Sequence, residues 1–103
     1  MSATRPQAKP TVLFDTPRAL ATEWRFAPGA ETGWHRHGMD YVVVPMTTGK
    51  LLLEEPGGAS RTAELTAGQP YARNEGVEHN VVNANAFEFV FIEIELKAGR
   101  RGD

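Results

Sequence analysis

Turn signals recur every several residues along this chain, and no segment between them sustains a 3.6-residue apolar period. Pro28-Gly29, Thr47-Thr48-Gly49, Pro56-Gly57-Gly58, Ala67-Gly68 and Asn74-Glu75-Gly76 all read as turns. Ten glycines and seven prolines in 103 residues leave little room for helices. Many short strands at this spacing predict an all-β domain, a small barrel or sandwich.

The runs between the turns alternate as strands do. Thr11–Asp15 is the first. In Leu20–Ala27, Leu20, Thr22, Trp24 and Phe26 share one face, with Ala21, Glu23 and Arg25 on the other. His35–Pro45 reads as a long strand with a bend at Gly38. Thr47-Thr48-Gly49 reads as a hairpin leading into Lys50–Glu55. Ser60–Leu65, Pro70–Arg73 and His79–Asn83 follow. Phe87–Lys97 reads as the longest strand, with Phe87, Phe89 and Phe91 on one face and Val90, Ile92, Ile94 and Leu96 on the other. Apolar residues on both faces predict a strand covered on both sides, by the core and by another sheet or subunit.

One domain, residues 11–97, accounts for the pattern. Residues 1–10, with Pro6 and Pro10, read as a flexible arm. Residues 98–103 read as a flexible tail whose Arg-Gly-Asp is a solvated end rather than a recognition motif. No apolar run nears the ~20 residues that span a bilayer, and the N-terminus has no apolar signal segment. A cytoplasmic protein without membrane contact is the expectation. The absence of cysteine excludes disulfides and thiolate chemistry. A net charge of −2 with scattered basic residues offers nucleic acid no footprint.

Three histidines carry the chemistry. His35 and His37 are spaced i, i+2, so in an extended strand both leave one face, with Cα atoms roughly 6.5–7 Å apart. Two imidazoles so placed can converge on one ion, although hydrogen-bonded or exposed histidines fit that segment equally. His79 lies far down the chain, after Gly76, whose freedom at positive φ suits a sharp turn delivering it.

The two histidine segments together resemble the motifs of the cupin superfamily. The first motif is written G-x5-H-x-H-x(3,4)-E-x6-G, and Gly29, His35, His37 and Gly49 fit it. The second, G-x5-P-x-G-x2-H-x3-N, is matched by Gly68, Gly76, His79 and Asn83, with Asn74 in the proline position. The phrases EWRFAPGAETGWHRHG and GVEHNVVNAN are similar to a subgroup of short bacterial cupins, some named as beta-alanine degradation proteins. The resemblance implies a single-domain jelly-roll β-barrel, often a homodimer, with a metal inside.

It also exposes a departure. The family's glutamate ligand falls here at Tyr41 or Val42, neither a carboxylate. Pleat parity turns Tyr41 toward the histidines and Asp40 away, unless a bulge at Gly38 reverses the order. The expected centre is therefore a three-histidine site, His35, His37 and His79, with no acid beside it. It would hold a divalent transition metal (Fe, Zn, Ni or Mn) that imidazole donors do not choose between. Such a centre favours a small anionic ligand. Tyr41 is the candidate catalytic residue, orienting a ligand oxygen or donating a proton. It reads equally as a half-buried strand tyrosine.

Other side chains are assigned by the same parity. Phe26, Phe87, Phe89 and Phe91 line a pocket or fill the core. Trp34, Arg36 and Glu78 point away from the metal, and Asn83 holds a turn. Arg25 and Arg73 are candidates to anchor an anion, with nothing in the spacing to place them inside. Two functions are consistent with all this. One is a mononuclear iron dioxygenase acting on a small anionic or enolisable molecule, as some three-histidine cupins are. The other is a sensor or accessory module that binds metal or a small molecule without turnover.

Overall fold

Nine strands form two sheets in the computed structural model, which describes residues 4–97. They are β1 (Lys9–Asp15), β2 (Ala19–Phe26), β3 (His35–Arg36), β4 (Asp40–Pro45), β5 (Gly49–Glu54), β6 (Ser60–Leu65), β7 (Tyr71–Arg73), β8 (Glu78–Asn83) and β9 (Phe89–Leu96). One sheet runs β1-β2-β9-β4-β7 and the other β3-β8-β5-β6, every pairing antiparallel. The described residues contain no α-helix, only a single 3₁₀ turn at Pro56–Gly58. None of their helices is therefore long and apolar enough to cross a membrane. The architecture is an all-β jelly roll, but the expected barrel is corrected: the two sheets face each other without closing into one hydrogen-bonded cylinder.

The core lies between the sheets. Phe26, Phe89 and Phe91 meet Leu51, Leu53 and Val81 across the gap, all buried. Phe26 and Phe91 pack ring to ring at 5.3 Å. Alternation decides this, since β2 pairs Trp24 with Phe91 and Phe26 with Phe89, placing all four on the inner face. Phe87 is corrected: it precedes β9, lies exposed, and takes no part in core or pocket.

Two local expectations change. The predicted strand His35–Pro45 is two strands in different sheets, β3 and β4, with the crossing at His37–Met39. Thr47-Thr48-Gly49 is no hairpin either, because β4 pairs with β9 and β7 while β5 pairs with β6 and β8. The segment instead carries the chain from one sheet to the other. Met46 N–H donates to Val90 O and Val90 N–H to Thr47 Oγ1, which anchors the crossing.

The first strand begins at Lys9 rather than Thr11. Of the segment read as an arm, residues 5–10 lie against the domain. Ala8 is buried, its N–H donating to Glu31 O, and Arg5 bridges Glu31 and Glu54. Met1–Ala3 and the tail Ala98–Asp103 lie outside the described residues.

Candidate metal centre

His35 and His79 are direct partners in the β3–β8 ladder, so both imidazoles leave the inner face of the four-stranded sheet side by side. His37 comes from the residue just after β3. Its N–H donates to Val77 O at 2.8 Å, and its carbonyl accepts from Gly76 N–H at 2.7 Å. Gly76 sits at φ 94°, the positive-φ position anticipated for it. These backbone bonds lock the His37 loop to the turn that delivers His79.

The result is convergence of three ring nitrogens. His35 Nε2 lies 3.0 Å from His37 Nε2, which lies 3.2 Å from His79 Nε2. Ligand nitrogens around one ion at metal–nitrogen distances of about 2.0–2.1 Å sit roughly 2.9–3.4 Å apart, between octahedral and tetrahedral angles. The observed separations fall in that window. The tautomer of His35 agrees as well. Its Nδ1 is 2.8 Å from Gly33 O, which can only accept, so Nδ1 carries the proton and Nε2 presents a lone pair inward. Burial, followed by the charges of His35 and Arg73, lowers His37 to about 4. His79 falls to about 3, with burial again the largest cause. Both rings are therefore neutral donors at ordinary pH. The three histidines form a group that could hold a metal ion.

Tyr41 faces inward from β4, and Asp40 faces solvent, where its carboxylate accepts from Glu75 N–H. The Tyr41 ring stacks on His37, centroids 3.8 Å apart and planes 14° from parallel. Its hydroxyl is buried without a hydrogen-bond partner. Burial pushes the phenol up to about 12, so it stays a donor.

The expectation of no acid near the histidines is corrected by β9. Glu93 Oε2 lies 3.9 Å from His37 Nε2, and Glu93 and Glu95 share the cavity with the histidines. Burial first, then Glu95, raises Glu93 to about 7, with a Trp24 hydrogen bond pulling the other way. The signal was present in the sequence. Glu93 and Glu95 have the parity of Phe89 and Phe91, so a core-facing phenylalanine pair predicts core-facing glutamates.

The cavity between the sheets measures about 270 Å³, just below the roughly 300–1,000 Å³ common for ligand sites. That admits only a small ligand. Arg73 lines it, whereas Arg25 lies on the surface paired with Glu23 and Glu88. Arg36 is exposed at its rim. Trp34 points outward and donates to Glu78 at 2.7 Å, so both are turned from the histidines. Asn83, almost wholly buried, donates to the carbonyls of Phe26, Ala27 and Phe87.

A curated relative, the Beta-alanine degradation protein BauB of Pseudomonas aeruginosa, is 66% identical over 93 residues, covering 90% of this chain and 97% of the relative. A crystal structure of a cupin domain from Bordetella pertussis Tohama I superposes with a TM-score of 0.91 at 65% identity, covering 94% of this chain and all of that one. The chain belongs to the cupin superfamily. Within it, this cupin sits with the small single-domain members resembling BauB. A double-stranded β-helix protein from Klebsiella pneumoniae shares the cupin's fold at a TM-score of 0.73 and 20% identity, over 95% of this chain and 85% of that one. No protein-family model matches this cupin's sequence.

Proposed function

We propose that this cupin binds one divalent transition metal through His35, His37 and His79, and that it is a mononuclear iron dioxygenase acting on a small anionic or enolisable molecule. The convergence of three Nε2 atoms within 3.2 Å steps carries the reading. A bound metal supplies Lewis acidity and, as iron, one-electron chemistry toward dioxygen. Three protein donors leave coordination positions for other ligands, as catalytic sites need and closed structural sites lack. Tyr41 holds its proton and donates it in a hydrogen bond to a ligand oxygen. Arg73 draws an anionic group into the cavity, and the walls of Trp24, Val43, Leu53 and Phe91 limit water around it.

The test is elemental analysis of untagged protein, with His79→Ala as control, followed by oxygen uptake with iron and a panel of diketones, thiols and short keto acids. About one metal per chain, lost in His79→Ala, together with oxygen uptake, supports the proposal. Metal without uptake across the panel supports a binding module without turnover. No metal in either protein overturns the reading.

The proposal includes a homodimer formed through the outer face of the five-stranded sheet. Val42 and Val44 pair with Ile94 and Ile92 there, all partly exposed, so a water-facing sheet carries an apolar stripe. Sedimentation equilibrium of the wild type and of Ile92→Asp checks it. A dimer that becomes a folded monomer in the variant is the expected result.

A further inference from the structure

The inner face of the five-stranded sheet carries opposite charges in a single row. Ladder register sets Glu95 of β9, Tyr41 of β4 and Arg73 of β7 abreast, with Glu93, Val43 and Tyr71 in the next row. Adjacent strands lie about 4.8 Å apart, so Glu95 and Arg73 flank Tyr41 with roughly 9.6 Å between their backbones. All of these line the cavity that holds the histidines.

These charges are answered only in part among the described residues. Among the described residues, Glu95 and Arg73 have no oppositely charged side chain in ion-pair range, and Glu93 meets His37 at 3.9 Å and accepts a Trp24 hydrogen bond. Oxygens of Glu93 and Glu95 approach within 4.8 Å of each other. Two carboxylates that close share a proton or a cation, and burial beside Glu95 raises Glu93 to about 7, so an arriving ammonium can take the place of that proton. Trp24 and Phe91 line the same cavity, and aromatic faces add attraction for an ammonium. Between the two poles stands the Tyr41 hydroxyl, in a residue 2% exposed and without a partner.

We propose that the ligand of this cavity is a short amino-carboxylate zwitterion. Glu93 and Glu95 receive its ammonium, Arg73 receives its carboxylate, and the Tyr41 hydroxyl donates to a carboxylate oxygen. The proposal takes from the functional reading above that this cavity is the ligand site and that Arg73 and Tyr41 meet an anionic group, and it narrows that reading's small anionic molecule to one that also carries an ammonium. A purely anionic ligand, the expectation from sequence, answers Arg73 and Tyr41 but sets its charge against two glutamates. A purely cationic ligand leaves Arg73 and the hydroxyl unmet. A zwitterion satisfies both ends at once, and charge-assisted hydrogen bonds at each end are the stronger kind.

Calorimetric titration of the full chain, metal-loaded and chelator-treated, with glycine, β-alanine, 4-aminobutyrate, propionate and propylamine tests this. At least one of the three amino-carboxylates binds tenfold or more tightly than both propionate and propylamine. Glu95→Gln removes the advantage over propionate while leaving propionate binding in place, and Arg73→Gln removes the advantage over propylamine. Glu93→Gln gives a second reading of the ammonium pole should Glu95→Gln fold poorly. Propionate binding as tightly as every amino-carboxylate, or an advantage over propionate undiminished in both Glu95→Gln and Glu93→Gln, overturns the proposal. A zwitterion preference in protein that never takes up metal defeats the metal reading and leaves this one standing. One metal per chain without that preference does the reverse.

Discussion

The Tyr41 ring lies flat against the His37 imidazole at 3.8 Å, with its hydroxyl buried and unpartnered. The stack fixes the histidine that the sheet itself does not hold, because His37 follows the end of β3. An unpaired buried hydroxyl costs roughly 1–3 kcal/mol. Tyr41→Phe keeps the stack and removes that cost. The ligand-free variant should be more stable than wild type by about 1 kcal/mol, raising the melting temperature by about 4–8 °C. Ligand affinity should fall about tenfold, the worth of one hydrogen bond donated to a charged oxygen. Thermal melts and ligand titrations on the same preparations check both. A variant destabilised and unaltered in ligand binding would show that the hydroxyl is merely structural.

Asn80 links the domain's surface network to the three-histidine site. Its Oδ1 accepts from Gly33 N–H at 2.9 Å, and its Nδ2 donates to Glu31 and Glu54, which Arg5 bridges. Gly33 O in turn fixes the His35 tautomer. Removing such outer partners typically costs 10–100-fold in metal affinity. Asn80→Ala should weaken metal binding at least tenfold in a competition with a chromogenic chelator, and His35→Ala should weaken it far more. Equal affinity in wild type and Asn80→Ala would disconnect the network from the site.

Much of this was legible because β structure writes itself in period two. The strand runs, the inward turn of Tyr41 and the turn at Gly76 follow from alternation and from glycine's access to positive φ. What escaped was sheet membership. Period two says which residues share a face but not which strand pairs with which, so Thr47–Gly49 looked like a hairpin when it is a sheet crossing. The same limit hid Glu93. The strand after His37 offers no inward acid, whereas the carboxylate comes from β9, more than fifty residues later and adjacent only through the β4–β9 ladder.

Asn83 ties the exit of β2 to the connection between β8 and β9. Its amide donates to Phe26, Ala27 and Phe87, and its Oδ1 accepts from the Asn85 backbone and side chain. Asn85 is packed so closely that a Cβ on Gly49 would stand 2.8 Å from its Oδ1. Asn83→Ala strands several buried polar groups, each worth roughly 1–3 kcal/mol. A loss of about 3 kcal/mol in urea unfolding is expected, with Gly49→Ala destabilising by a smaller amount as Asn85 shifts. An Asn83→Ala protein unfolding at the wild-type midpoint would mean water replaces the side chain's bonds.

Glu93 and the buried histidines tilt stability in opposite directions with pH, and the metal-free protein separates them. His37 and His79 titrate in the folded state near 4 and 3, below the ordinary 6.5, chiefly from burial. Their contribution is complete above about pH 6.5 and is lost as pH falls through the folded values, because the unfolded chain then binds more protons. Glu93 titrates near 7 in the folded state against an ordinary 4.5, again chiefly from burial. Its contribution is complete below about pH 4.5 and is lost as pH rises through 7. Glu93→Gln keeps the shape and removes the ionisation. Chelator-treated Glu93→Gln should gain on wild type as pH rises from 5 to 8.5, by on the order of 2–3 kcal/mol at the upper end, given about 1.4 kcal/mol per pKa unit. At pH 5 the two should unfold at nearly the same urea concentration. Parallel curves across that range would mean that Glu93 ionises in the folded protein as it does in water, and that its carboxylate is not desolvated against His37.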